Sequence, residues 1–141
     1  MKQLTLADYW MHRDVEYPLA MTPDIEHNAE ILVDVLNGFM PEAEMAGAVF
    51  TINPATGSLL SSGWRPPAVN AATPHAAPNS KHMTGQAADL YGPGNVLALW
   101  AQQHQDLLKK HGLWMEAPSA TPTWLHLQTV PPRSGNRVFF P

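Results

Sequence analysis

The segment Ser80-Lys81-His82-Met83-Thr84-Gly85-Gln86-Ala87-Ala88-Asp89-Leu90 constrains this chain more than any other. Asp89 ends an apolar run, and a carboxylate pointing inward from a strand is costly to bury unless it finds a partner. His82 precedes it by two helical turns' worth of sequence, with Gly85, Ala87 and Ala88 between. Glycine permits a tight bend and a close approach of backbone, and the alanines leave room beside an ion. A histidine and an aspartate so spaced are a weak signal by themselves. In this setting a metal ion is the partner that would satisfy the carboxylate.

The rest of the composition narrows what such an ion could do. A chain of 141 residues is expected to form one domain spanning 1–141, long enough to bury a real core. Apolar residues make up 45% and charged residues 14%, which describes a folded globule and not a disordered coat. A net charge of −4 without a Lys/Arg cluster excludes a nucleic-acid surface. There is no cysteine, so a metal must be held by histidine and carboxylate. The amino terminus meets Asp8, Arg13 and Asp14 before any apolar run long enough for a signal peptide. Nor does any stretch approach the roughly 18 apolar residues of a membrane span. The expectation is a monomer made in the cytoplasm, without membrane insertion.

Thr22-Pro23-Asp24 reads as a helix start, with Thr22 as N-cap and proline at the first helical position. Ile25, Ala29, Leu32, Val35, Leu36 and Phe39 follow at helical spacing up to about Met40, and residues 4–10 predict a shorter helix beside it. Residues 1–45 are thus mainly helical, and 46–141 carry the sheet and the site. The runs AGAVFTI and SLLSSGWR, separated by Asn53-Pro54-Ala55-Thr56-Gly57, predict a hairpin. Residues 66–81 have no period and read as a long loop. Strands are expected at 86–91, 113–116 and 124–129. A helix over 95–111 would turn Val96, Leu99, Trp100, Leu107 and Leu108 inward. The tail 131–141 reads as an ordered wrap, because Val138, Phe139 and Phe140 are apolar.

Seven histidines compete for attention. His12, His27, His104 and His111 lie in or beside helices among polar neighbours and read as surface or helix-end residues. His75 sits in the long loop, where solvation is the ordinary outcome and substrate contact the alternative. His126 is the one histidine in a strand-like apolar context, TWLHLQ. It reads either as a core histidine bonded to backbone or, with His82 and Asp89, as the third ligand of a tetrahedral zinc that keeps its fourth position open.

The segment SGWRPPAVNAATPHAAPNSKHMTGQAADL resembles the core signature of the zinc D-alanyl-D-alanine carboxypeptidases, Van-type D-Ala-D-Ala dipeptidases and phage L-alanyl-D-glutamate endolysins. Their pattern Ser-x-His-x-x-Gly-x-Ala-x-Asp is complete here as Ser80, His82, Gly85, Ala87 and Asp89. The likeness continues upstream in SGWR, where the family carries an arginine that binds the substrate's carboxylate, and downstream in WLH, where it carries the last zinc-binding histidine. With the amino-terminal helix and the PPRSGNRVF tail, which resemble small phage and prophage members, it covers nearly the whole chain.

The resemblance implies an α+β fold, an antiparallel sheet with helices packed on one side and zinc on the open side. It implies a Zn2+ peptidoglycan hydrolase, an endopeptidase or D,D-carboxypeptidase acting on the stem peptide. Such a protein would reach the cell wall on lysis or in a phage particle. Arg65 is then expected to hold a substrate carboxylate, with Ser80 and Gln86 facing the substrate, although Ser80 equally suits a loop cap. Many members carry a Glu or Asp three residues before the last histidine as general base, and here that position is Thr123. If the strands at 113–116 and 124–129 pair antiparallel, Glu116 can stand opposite or diagonal to His126, and it is the expected base. Asp106, among Gln and Lys in a helix, reads as solvated. The alternative function is a non-catalytic, zinc-stabilised wall-binding or phage tail domain.

Overall fold

Residues 3–141 are described in a computed structural model. Thr5 opens the first helix, α1 (Leu6–Trp10), with a reciprocal cap: its hydroxyl accepts from the Asp8 amide at 3.1 Å, and the Asp8 carboxylate accepts from the Thr5 amide at 3.0 Å. Met11 and His12 both adopt left-handed backbone, φ 54° and 62°, so the chain turns sharply into α2 (Arg13–Glu16). The long helix α3 (Pro23–Met45) starts where Thr22 accepts from the Ile25 amide at 3.2 Å. It continues past the sequence-predicted end near Met40, carrying Pro41 on an exposed face. Ala29, Leu32, Val33, Leu36, Phe39 and Met40 form its buried stripe, and Ile25 and Val35 are half-buried at its margin. Each fully buried leucine there contributes about 1.5–3 kcal/mol.

Five strands form one sheet in the order β1-β2-β4-β3-β5: β1 (Leu60–Ser62), β2 (Ala87–Tyr91), β3 (Trp114–Glu116), β4 (Trp124–Gln128) and β5 (Val138–Phe139). The α+β class therefore holds, and the sheet is mixed where an antiparallel one was expected. β1–β2, β2–β4 and β3–β4 are antiparallel, but β5 runs parallel to β3, pairing Met115 with Val138 and Glu116 with Phe139. The cause is the tail, which returns past β4 to add itself to the far edge of β3. Amides of Met115 and Ala117 donate to the Arg137 and Phe139 carbonyls at 2.9 and 2.7 Å, and the Arg137 guanidinium stacks 4.3 Å over the Trp114 ring. Phe139 is buried while Phe140 stays exposed.

Three further expectations are corrected. Residues 46–52 form no strand, and no hairpin joins them to β1. The outer edge of β1 is occupied by side chains instead, because the Leu60 carbonyl accepts from Thr56 Oγ1 at 2.8 Å and from Asn53 Nδ2 at 3.2 Å. The stretch 66–81 contains the short helix α4 (Pro67–Ala72), started by proline in its first turn. The helix expected over 95–111 is two, α5 (Val96–Gln102) and α6 (Gln105–Lys110), broken at His104. The buried face also differs from the expected one. Leu97, Ala98 and Ala101 point inward, Val96 and Leu99 are exposed, and Trp100 and Leu107 are half-buried. Among the described residues no helix is long and apolar enough to cross a membrane.

Strand alternation separates the two faces of the sheet. Leu60, Ala88, Leu90, Met115, Leu125 and Leu127 join the helices in one core. With a period of two, Asp89, His126 and Gln128 turn to the other face. Two glycines bring the surrounding loops close. A Cβ on Gly63 would collide with the Tyr9 carbonyl, and one on Gly85, at φ 76°, would lie 2.7 Å from the Ile25 carbonyl. Gly85→Ala is expected to cost well over about 1 kcal/mol, through both its dihedral and the α3 backbone. Gly112→Ala, with a similar φ of 67° and nothing within 4 Å, carries the dihedral cost alone. Urea unfolding of the two variants should show the larger loss at Gly85.

Candidate metal centre

The register of the central strands assembles the site. β2 and β4 set Asp89 directly opposite His126, and the β3–β4 pairing of Met115 with Leu127, continued by one residue, sets Glu116 opposite His126 on the other side. Three adjacent strands thus place polar groups side by side on one face. His82 comes from the loop before β2, which Ser80 organises by accepting from the His82 amide at 3.2 Å.

His82, Asp89 and His126 are buried, and one ligand atom from each lies within 4.8 Å of the others. Asp89 Oδ1 stands 2.9 Å from His126 Nδ1 and 3.2 Å from His82 Nε2. Asp89 Oδ2 is 3.5 Å from Arg65 Nη2. Burial opposes the charge on Asp89, but the neighbouring His82 and the hydrogen bond from His126 outweigh it and hold the carboxyl well below its usual range. Burial lowers the pKa of His82. At His126 burial acts in the same direction, yet the bond to Asp89 prevails and raises it.

The side chains behind the triad select the nitrogen that faces inward. His82 Nδ1 donates to the Gly63 carbonyl at 2.8 Å, which leaves Nε2 as the lone-pair atom. That Nε2 is buried without a hydrogen-bond partner despite its closeness to Asp89. At His126 the order is reversed. Gln128 Nε2 donates to the Val130 carbonyl at 2.8 Å, so Gln128 Oε1 faces His126 Nε2 at 2.9 Å and accepts its proton. Nδ1 is left facing Asp89 Oδ1 at 2.9 Å, and giving up its proton would make it a ligand. An orphaned Nε2, an Nδ1 and a carboxylate oxygen converging on one point are a donor set that fits a cation. This buried triad could hold a metal ion.

A cleft of about 850 Å³ opens beside it. Its lining includes all three triad residues, together with Glu116, Arg65, Ser80 and His75. Glu116 Oε1 lies 3.8 Å from His126 Nε2. Burial above all, reinforced by Asp89 and opposed by His126 and Arg65, pushes the Glu116 pKa upward. Arg65 is buried with its donors committed, Nε to Ser62 Oγ at 3.1 Å, Nη1 to Asn70 Oδ1 at 3.2 Å and Nη2 toward Asp89. Gln86 lies outside the cleft lining, its side-chain oxygen accepting from Thr84 at 2.8 Å. Thr123 is exposed and outside it too.

Two members of this environment were not singled out from the sequence. Gln128 had a usable signal, since it shares a strand face with His126 two residues away. Arg13 had none, because only the fold brings it to the cleft. The helical histidines also differ from the expected surface positions in one respect. His111 packs edge-on to Phe39 and stands 3.4 Å from Glu42, and His104 stacks on Trp100. A smaller hollow of about 560 Å³ near Glu42, Gln102 and Lys110 lies away from the triad. No protein-family model, curated protein or solved structure matches the chain.

The Gln128 relay predicts a graded response. Gln128→Leu removes the acceptor that fixes the His126 tautomer and should weaken metal binding about 10- to 100-fold, read by competition with a chromophoric chelator. Gln128→Glu still accepts at Nε2 and should retain most of the affinity.

Proposed function

We propose that this protein is a zinc-dependent peptidase that hydrolyses an amide bond of the peptidoglycan stem peptide. The observation that carries this reading is the convergence of His82 Nε2, Asp89 and His126 Nδ1 at the wall of an open cleft, with Glu116 beside them. Two imidazoles and a carboxylate without thiolate are the donors that suit catalytic zinc. The choice of substrate rests on the Ser80-x-His82-x-x-Gly85-x-Ala87-x-Asp89 resemblance.

Zinc bound there supplies Lewis acidity, polarising a carbonyl and making water nucleophilic near neutral pH. The remaining work falls to the chain. Glu116 accepts the proton of the attacking water and delivers it to the leaving amine. Its position in the cleft beside the triad suits both halves of that transfer. Its place on β3, opposite His126 on β4, sets the carboxylate beside that imidazole, 3.8 Å from Nε2, at the wall of the cleft. Arg65 holds Asp89 in orientation, and the Gly63 carbonyl and Gln128 do the same for the two imidazoles.

Protein purified without added metal should contain one zinc per chain, and His82→Ala and His126→Ala should lose it. Equal zinc content in all three proteins would refute the assignment. Glu116→Gln should keep the metal and fold but lose on the order of 10² to 10⁴ in turnover on purified peptidoglycan, followed by mass spectrometry of the released fragments. Thr123→Ala should leave turnover nearly unchanged. A wild type that binds zinc and the wall yet releases no fragment would identify a binding domain instead.

A further inference from the structure

The cleft is electrostatically unlike the rest of the molecule. Four of the chain's eight Lys and Arg residues line it, against two of its twelve acidic residues, so a protein of net charge −4 presents a positive recess even before a cation enters. An anionic ligand is the natural complement. The question is which cation meets it.

Arg65 is poorly placed for that task, because each of its three nitrogens already faces Ser62, Asn70 or Asp89. Arg13 is the contrasting case. Its Nη1 donates to the Trp64 carbonyl at 2.8 Å, while Nε and Nη2 have no hydrogen-bond partner among the described residues. The guanidinium lines the cleft in a half-buried position. Burial, followed by the positive charge of Arg65, makes its charged state less favourable than usual, with Glu16 and Tyr17 acting the other way.

The local backbone holds Arg13 there. Met11 and His12 occupy consecutive left-handed conformations, a strained arrangement for residues other than glycine. The Trp64 amide donates to the Tyr9 carbonyl at 3.0 Å, the Gly63 amide reaches Met11 Sδ at 3.2 Å, and the Tyr9 hydroxyl donates to the Ala87 carbonyl at 2.8 Å. The amino-terminal segment is thereby fastened to the backbone that precedes Arg65 and to strand β2.

We propose that Arg13, and not Arg65, binds a carboxylate of the ligand, while Arg65 is a positioning residue for Asp89. The assignment rests on the peptidase reading for the identity of the ligand, a peptide acid, but not for the anion contact itself. A guanidinium with its Nε and one Nη free presents the two parallel donors that grip a carboxylate at two points.

The test uses the full chain with stoichiometric zinc and the pentapeptide L-Ala-γ-D-Glu-L-Lys-D-Ala-D-Ala, with its carboxylates free or amidated. Calorimetry reads binding and mass spectrometry reads hydrolysis. Wild type should bind the free acid about 10- to 100-fold more tightly than the amidated peptide. Arg13→Gln should erase that difference with zinc affinity unchanged, and Arg13→Lys should restore part of it. Arg65→Gln should keep the discrimination but weaken zinc about 10-fold or more. Full discrimination in Arg13→Gln, its loss in Arg65→Gln with zinc retained, or no binding of either peptide by wild type would overturn the proposal. Discrimination without hydrolysis would support Arg13 and count against the peptidase. Hydrolysis without discrimination would do the reverse.

Discussion

A buried carboxylate organises this molecule. Asp89 lies on a central strand, where its desolvation would be prohibitive without compensation. The compensation comes from Arg65 and two imidazoles, drawn from separate parts of the chain. Each of those partners is in turn held. Gly63 fixes His82, Gln128 fixes His126, and Ser62 with Asn70 fixes Arg65. The network is therefore satisfied outward from Asp89 in two steps, and its one buried atom without a partner, His82 Nε2, points back at the centre. The side chains of the triad are thus each oriented by a neighbour from the fold.

Gly85 shows how the stretch that carries His82 and Asp89 is also a packing motif. Its close approach to the α3 backbone sets the loop carrying His82 against the long helix. The same short stretch therefore supplies two members of the triad and the contact that spaces them. α3, in burying its apolar stripe beneath the sheet, supplies the support on which that spacing rests.

What the sequence made legible was local. The Thr22-Pro23 helix start, the β2 and β4 strands and the opposition of Glu116 and His126 follow from capping chemistry and period-two alternation, which act over a few residues. What it hid was non-local. Nothing in residues 131–141 announces that the tail will pair parallel with β3, because that pairing depends on where the return loop lands. The supposed hairpin failed because Asn53 and Thr56 took the Leu60 carbonyl that a partner strand would have used. One helix became two through a backbone turn at His104, where no glycine or proline marks a stop. Arg13 escaped notice because a lone arginine in a helix carries no mark of the cleft it enters.

The walls of the cleft and its floor belong to different parts of the architecture. The floor is the paired centre of the sheet, where a shift of one residue would reverse every side chain. The walls come from the amino-terminal turn with Arg13, the loop holding His75 and the carboxyl-terminal Phe139 and Phe140. The amino-terminal segment is fastened to β2 and the tail to β3, whereas the loop with His75 lies outside the strand pairing. Asp89 and His126 sit on strands paired on both sides, while most of the rim comes from loops and chain ends, so rim side chains can be exchanged while those two residues keep their places.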